Sequence, residues 1–191
     1  MNITYTCLPG VVVIEPQVFT DERGFFLETF RASDYQVLLA PGLSFVQDNH
    51  SHSTRGVLRG LHLQTRKPQG KLVRAVCGEI FDVAVDIDPH SNTFGAWYGI
   101  NLSSDNHKQL YIPPGYAHGF QVLSDVADVE YKCTDYYDPG GESGLVWNDP
   151  EVGINWPVAN ALLAGKDQQL PTLAAITRAH DQGCDNPDHK Q

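Results

Sequence analysis

The sequence predicts an all-β sandwich or barrel. Short segments of four to eight residues alternate apolar and polar positions or run continuously apolar, and Gly, Pro, Asn and Asp separate them at short intervals. Helical periodicity is weak by comparison, which is typical of folds built from packed antiparallel strands. The 191 residues, of which 41% are hydrophobic, are enough for one domain with a sizeable core.

Eight strands are expected from this patterning, and a ninth is conditional. In chain order the eight cover residues 11–14, 25–30, 71–76, 79–85, 98–102, 109–112, 119–123 and 126–131. The ninth lies within residues 55–64. If that segment is a regular strand, Arg59 faces away from His62, because alternate strand residues point to opposite sides.

Two short helices and a tail complete the expected organisation. Residues 33–39 predict a helix with Ser33 as its N-cap, and residues 173–180 predict a second one. Residues 181–191 are polar, include Gly and Pro, and are expected to form a frayed C-terminal tail. No linker divides the chain, so we expect a single domain over residues 1–180.

The charge distribution indicates a local anion site. The chain carries 13 Lys and Arg against 23 Asp and Glu, a net charge of −10, which argues against a nucleic-acid partner. Six of the 13 cations lie between Arg55 and Arg74, and no carboxylate occurs between His50 and Gly78. A concentrated basic segment in an acidic protein fits a small anionic ligand, and a solvated basic loop is the alternative.

The chain shows no membrane or export signal. Its longest apolar stretches, such as residues 11–14, are far too short to cross a bilayer, and the N-terminus lacks a basic region followed by an apolar core. We therefore expect a soluble, cytoplasmic protein without a membrane partner. The four cysteines have no C-x-x-C spacing, which predicts reduced and mostly buried thiols.

Two histidine-containing segments carry the strongest functional signal. His62 lies in a Gly-flanked basic segment, and His118 follows a Pro-Pro-Gly turn. Together they resemble the paired motifs of the cupin barrel, whose metal site uses about four His and carboxylate ligands. Gln64 stands where the second cupin His is expected, and no carboxylate occurs at residues 65–70. Two imidazoles among several cations make a poor divalent-cation site, so no metal is expected.

A more specific resemblance covers residues 10 to 173. The chain is similar to the dTDP-4-dehydrorhamnose 3,5-epimerase family through ordered matches that include DERGFF from Asp21, QDN from Gln47, LRGLH from Leu58, GKLVR from Gly70, PGYAHGF from Pro114, and WNDP from Trp147. The resemblance implies a cupin-type double-stranded β-helix, or jelly-roll barrel, with short helices at its periphery. It also implies a cofactor-independent enzyme and a homodimer with exchanged N-terminal strands, for which residues 11–14 are the candidate.

The resemblance assigns roles in proton transfer to four residues. A 4-keto sugar has acidic protons at C3 and C5, so inversion requires a base, an enolate-stabilising group and an acid on the opposite face. His62 matches the base, Asp167 the carboxylate that orients it, and Tyr131 the acid. Lys71 matches the group that holds the C4 oxygen as negative charge develops.

Further residues match positions that bind a dTDP-4-keto-6-deoxy sugar. Arg23 and Arg59 match diphosphate contacts, although Arg59 could instead assist Lys71 at the C4 oxygen, and Tyr137 matches a ring that stacks on thymine. The remaining matches are spread over the nucleotide and sugar ends: Phe26, Glu28, Gln47, Asp48, Asn49, Lys71, His118, Glu142 and Lys166.

Other functions remain open at this stage. A related 4-keto-deoxysugar nucleotide epimerase that inverts only C3 or only C5 would retain the same acid and base. A metal-dependent cupin enzyme would need the ligands that Gln64 and residues 65–70 do not supply, and a non-catalytic binding module would need no acid–base pair. For individual residues, Asp167 could be a solvated loop carboxylate, Tyr131 a packing residue, and Glu28 and Glu142 exposed surface charges.

Overall fold

A computed structural model describes residues 1–184 of the chain. Thirteen strands run in chain order: β1 (Asn2–Tyr5), β2 (Val12–Glu15), β3 (Val18–Asp21), β4 (Gly24–Leu27), β5 (Gln47–Thr54), β6 (Leu58–Gln64), β7 (Lys71–Cys77), β8 (Glu79–Asp86), β9 (Trp97–Ser103), β10 (Gln109–Ile112), β11 (Tyr116–Val122), β12 (Val126–Cys133) and β13 (Glu142–Gly144). The α-helices are α1 (Ala32–Tyr35) and α2 (Leu173–Cys184), and 3₁₀ turns occupy Gln36–Leu38, Pro139–Gly141 and Asp167–Gln169.

Eleven of these strands form two facing sheets. The six-stranded sheet has the order β1-β2-β10-β7-β12-β5, and the five-stranded sheet has the order β13-β6-β11-β8-β9. Val13, Val73 and Val129 of the first sheet pack with Ile80 and Phe120 of the second in one buried cluster. This architecture confirms the predicted all-β fold and is that of a jelly-roll barrel.

Hairpin β3–β4 stands apart from both sheets. Within residues 1–184 its two strands pair only with each other, and Phe19, Phe25 and Phe26 are 53%, 59% and 68% exposed. The strand expected over residues 25–30 instead covers Gly24–Leu27. By contrast, β2 contains most of residues 11–14, is largely buried, and pairs with β1 and β10 of the same chain.

A β-bulge corrects the predicted orientation of Arg59. His62 is paired with His118, whereas Arg59 is paired with Phe120, so β6 uses one residue more than β11 between these two positions. The extra residue breaks strict alternation. Arg59 and His62 consequently line the same cavity instead of facing opposite sides, and the prediction from alternation was wrong.

The helices and cysteines require three smaller corrections. Arg31, not Ser33, occupies the N-cap of α1, and the Ser33 hydroxyl donates to the Asp34 carboxylate instead. Helix α2 continues to Cys184, four residues into the expected tail, because an established helix adds a hydrogen bond with each residue it extends. Residues 185–191 of that tail lie outside the described residues.

Cys133 is buried, but Cys7 and Cys77 are exposed, because both lie where the chain leaves the sheet for a turn. None of the helices within residues 1–184 has the length and apolarity needed to span a membrane.

Candidate active site

One side of the barrel holds an open cavity of about 690 Å³ between the two sheets and the segment around residues 162–167. It collects residues that are far apart in the sequence. Eleven of the residues singled out from the sequence line it: Gln47, Asn49, Arg59, His62, Lys71, His118, Tyr131, Tyr137, Glu142, Lys166 and Asp167. Of the six cations between Arg55 and Arg74, only Arg59 and Lys71 contribute to this lining.

His62 and Asp167 form a hydrogen-bonded pair at the cavity wall. The His62 Nε2 atom lies 2.8 Å from Asp167 Oδ1, and the second Asp167 oxygen accepts a 3.3 Å hydrogen bond from the Gly60 amide. Asp167 is only 3% exposed, so it is not a solvated loop carboxylate. With Nε2 directed to the carboxylate, Nδ1 is the ring nitrogen left to act on a ligand.

Glycine is required at Gly60 because two strands approach closely there. A Cβ atom on Gly60 would lie 2.6 Å from the His118 carbonyl oxygen and 2.8 Å from Gly119 Cα, and its φ is +106°. Only glycine adopts this backbone conformation without strain and leaves room for the neighbouring strand. The Gly60 position thus lets β6 present both Arg59 and His62 next to His118.

Lys71 and Tyr131 enter the cavity from the sheet opposite His62. Lys71 is 8% exposed, and its Nζ donates a 3.3 Å hydrogen bond to the His62 carbonyl. Burial lowers the pKa of Lys71, while charge interactions with Cys133, Asp82 and Glu142 oppose that change. Burial raises the pKa of Tyr131, which keeps the phenol in its proton-donating form. The base candidate and the acid candidate therefore stand on opposite walls.

A second His–Asp pair lies beside the first, because His118 on β11 is the register partner of His62 on β6. His118 Nε2 is 2.8 Å from Asp82 Oδ1, and both side chains are buried. Burial, the largest effect, lowers the pKa of His118 despite the carboxylate beside it. Sequence reasoning did not single out Asp82, although a carboxylate between the apolar residues Phe81 and Val83 of a strand was a usable signal.

The cavity rim joins three polar side chains. The Tyr137 hydroxyl donates to Glu142 at 2.7 Å, and Lys166 forms an ion pair with the other Glu142 oxygen. The hydrogen bond from Lys166 is the main reason that the pKa of Glu142 is lowered. Gln47 accepts a 3.0 Å hydrogen bond from the Tyr137 amide and so ties this rim to β5. The rim offers an aromatic ring, a cation and amide groups at one end of the cavity.

Arg59 is held at the cavity edge by β5. Its Nε donates a 3.0 Å hydrogen bond to the Ser53 hydroxyl, and its Nη2 donates to the His52 carbonyl. No carboxylate among residues 1–184 forms an ion pair with Arg59, so its charge can still be met by an anionic ligand.

Four of the expected binding residues lie outside this cavity. Arg23 belongs to the β3–β4 hairpin turn and pairs with Asp21, Phe26 lies on β4, and Glu28 just after that strand pairs with Arg31. Asp48 is directed to the other face of the six-stranded sheet, where it pairs with Lys132. Within one chain, the structure therefore does not bring these four residues to His62.

Metal ligands are not assembled in the part of the chain that the structure describes. Within residues 1–184, no group of three or more His, Cys, Asp and Glu side chains has a geometry that could hold a metal ion. Gln64 is buried in the cavity wall, where its side-chain oxygen accepts a 3.3 Å hydrogen bond from the Asp138 amide.

We predict that enzymatic activity is independent of a divalent metal. The two His–Asp pairs use their carboxylates to orient imidazole rings, which leaves too few ligands for a metal site. Exhaustive chelation followed by an activity assay checks this prediction, with a mock-dialysed sample as the control. Activity that is lost on chelation and restored by Zn²⁺, Fe²⁺ or Mn²⁺ would contradict it.

Comparisons with known proteins agree with one another. A family model described as dTDP-4-dehydrorhamnose 3,5-epimerase matches residues 5–175. The dTDP-4-dehydrorhamnose 3,5-epimerase of Neisseria gonorrhoeae is 58% identical over 180 residues, which make up 94% of this chain and 55% of that protein. The chain thus spans about half the length of this relative. The dTDP-4-dehydrorhamnose 3-epimerase of Streptomyces niveus is 37% identical over 177 residues, covering 92% of this chain and 84% of the relative.

A solved structure extends the similarity to three dimensions. The dTDP-6-deoxy-D-glucose-3,5-epimerase of Legionella pneumophila, crystallised in complex with dTDP-4-keto-L-rhamnose, has a TM-score of 0.88 and is 50% identical, with coverage of 92% of this chain and 94% of that one. The family model, the relatives and the cupin-like barrel all indicate the same family. This chain belongs to the dTDP-4-dehydrorhamnose 3,5-epimerase family, whose members are isomerases.

Proposed function

We propose that this protein inverts C3 and C5 of dTDP-4-dehydro-6-deoxy-D-glucose to give dTDP-4-dehydro-L-rhamnose. The observation that carries the proposal is the cavity in which the His62–Asp167 pair and the Tyr131 phenol stand on opposite walls, with Lys71 between the sheets. A binding module would need no such acid–base arrangement. The 3,5-epimerase relatives favour inversion at both carbons over inversion at one.

Each inversion is a proton abstraction followed by proton delivery to the other face. His62 Nδ1 takes the proton from the carbon next to the C4 ketone, and the C–H electron pair moves into the enolate. Asp167 orients the ring and stabilises the imidazolium that forms. The phenol of Tyr131 then donates its proton to the opposite face of the carbon. Proton exchange with solvent returns His62 and Tyr131 to their starting forms.

Lys71 stabilises the enolate by its positive charge and does not transfer a proton. Its ammonium group is held inside the barrel and can donate to the C4 oxygen as negative charge develops. Arg59 lines the same cavity and can bind the diphosphate, and the ring of Tyr137 at the rim can stack on the thymine. No redox cofactor enters this scheme, because the substrate arrives already oxidised at C4.

Product analysis tests the proposed reaction. Incubation with dTDP-4-keto-6-deoxyglucose, followed by NMR assignment of the product configuration, should show inversion at both C3 and C5. A product inverted at only one carbon supports the single-centre alternative that the Streptomyces niveus relative represents. The absence of any conversion would contradict the proposal.

We further propose a homodimer in which each chain completes the cavity of the other through hairpin β3–β4. Three observations support this arrangement. In the described part of the chain the hairpin pairs with no other strand, it exposes three phenylalanines, and Arg23, Phe26 and Glu28 in or next to it lie away from the cavity. Because β2 is already paired on both sides within the chain, the hairpin replaces residues 11–14 as our candidate for the exchanged segment.

Complementation between two inactive variants tests this dimer. We expect Arg23→Ala and His62→Asn each to lose activity alone. In a co-expressed mixed dimer, the Arg23→Ala chain retains His62 and receives an intact hairpin from its partner, which rebuilds one working cavity. The mixed preparation should therefore exceed the sum of the two separate variants. If the hairpin served its own chain, mixing would restore nothing.

A further inference from the structure

Asp82 is a buried carboxylate whose position the fold alone does not explain. It is fully buried on β8 between the apolar residues Phe81 and Val83, and its Oδ1 atom lies 2.8 Å from His118 Nε2. Its Oδ2 atom is equally buried and has no hydrogen-bond partner among residues 1–184. Burying a carboxylate with one oxygen unsatisfied is costly, and such exceptions in a native structure often reflect function.

Lys71 is a buried cation on the sheet that faces Asp82. It is 8% exposed, and within residues 1–184 its side chain makes a single hydrogen bond, to the neutral carbonyl of His62. Asp82 belongs to the five-stranded sheet and Lys71 to the facing six-stranded sheet, and the negative charge of Asp82 acts to raise the pKa of Lys71 against the larger effect of burial. Within residues 1–184, no Lys or Arg pairs with Asp82, whose one close partner is His118, and no carboxylate forms an ion pair with Lys71.

The other groups around Lys71 do not supply a lasting negative charge. Burial raises the pKa of the Cys133 thiol, which is therefore neutral at neutral pH. Glu142 is engaged by Lys166 and Tyr137 at the rim. The two imidazoles nearby, His62 and His118, can only add positive charge, and burial lowers the pKa of His118.

We propose that Asp82 is a positioning residue that maintains the charge of Lys71 and the orientation of His118. Its carboxylate lowers the cost of an ammonium group inside the barrel, so Lys71 stays protonated where the enolate oxygen forms. The same carboxylate accepts from His118 Nε2, which leaves Nδ1 of that ring to accept a hydrogen bond. The inference rests on the proposed epimerase function for its kinetic consequences, but the charge of Lys71 can be measured without substrate.

Asp82→Asn separates the charge from the shape. The amide has nearly the same volume and can still accept a hydrogen bond from His118, but the negative charge is gone. Because an opposite charge nearby changes a pKa by about 1–3 units, the Lys71 pKa should fall by about 1 unit or more. The alkaline limb of kcat/KM, where Lys71 loses its proton, should move to lower pH by the same amount. At pH values above the Lys71 pKa of both proteins, kcat/KM of Asp82→Asn should be about tenfold lower than that of the unmodified protein.

Two controls accompany this variant. Asp86→Asn removes another buried carboxylate of β8, which is satisfied by Ser91 and Thr93 outside the cavity, and should leave the limb in place. Asp82→Glu retains the charge and should retain most of the alkaline activity. A merely structural Asp82 would instead lower thermal stability and reduce kcat/KM equally at every pH.

NMR titration of Lys71 provides the measurement that needs no activity. The ¹³Cε signal of Lys71, assigned with Lys71→Met, should titrate at lower pH in Asp82→Asn than in the unmodified protein. Identical titrations in the two proteins would overturn the inference even if the epimerase reaction were confirmed. If Asp82→Asn did not fold, the unmodified protein would decide: release of the Lys71 proton below about pH 7 would overturn the inference, since buried lysines without a counter-charge titrate at about 5–6.

Discussion

His62→Asn should abolish proton abstraction at both C3 and C5. Positioned general acid–base groups contribute about 10²–10⁴-fold to a rate, so kcat should fall by at least that range. Because Asn retains polarity without a basic nitrogen, binding of dTDP through Arg59 and Tyr137 should change little. Steady-state kinetics and dTDP titration together measure the two effects.

Two further variants, Asp167→Asn beside His62 and His90→Asn away from the cavity, serve as comparisons for His62→Asn. Asp167→Asn should weaken abstraction and leave some turnover, since it disturbs the orientation of His62 but retains the imidazole. His90→Asn serves as the matched control, because His90 does not line the cavity and contacts His180 instead. Exchange of the C3 and C5 protons at nearly the normal rate in His62→Asn would mean that another residue is the base.

Tyr131→Phe should separate proton exchange from inversion. His62 can still remove the proton and Lys71 can still stabilise the enolate, so solvent deuterium can return from His62 on the original face. Delivery to the opposite face lacks its donor and should slow by about 10²-fold or more. In deuterated water the recovered sugar should therefore carry label with its configuration retained.

NMR of the Tyr131→Phe reaction distinguishes the proton donor from a packing residue. Tyr98→Phe is the matched control, because Tyr98 also packs against the barrel core from a strand but does not line the cavity. It should invert both carbons at the normal rate. Inversion at nearly the normal rate in Tyr131→Phe would make Tyr131 a packing residue.

The sequence predicted the positions of strands best where at least one face of the strand is buried in the core. Strands such as β8 and β10 are apolar enough to be predicted within a residue of their ends. Strand β5 was not predicted, because its sequence QDNHSHST is polar throughout and becomes a strand only by pairing with β12. An edge strand of this kind depends on tertiary contacts rather than on its own hydrophobic pattern.

The candidate site was predictable to a similar extent. Motifs placed His62 and His118 together, and the family resemblance added Asp167, which is 105 residues from His62 in the chain. Local pattern could not anticipate the bulge that turns Arg59 into the same cavity, because one inserted residue leaves no mark in the alternation of β6. It also could not show that Arg23, Phe26 and Glu28 lie away from the cavity within one chain.

Deuterium incorporation tests the central claim most directly. The protein is incubated with dTDP-4-keto-6-deoxyglucose in deuterated water, and the label in the product is counted at each carbon. Our account predicts one solvent deuterium at C3 and one at C5, both carbons inverted, and no label at either carbon with His62→Asn. Inversion without solvent label, or label confined to one carbon, would contradict an epimerase that works by proton transfer at both centres.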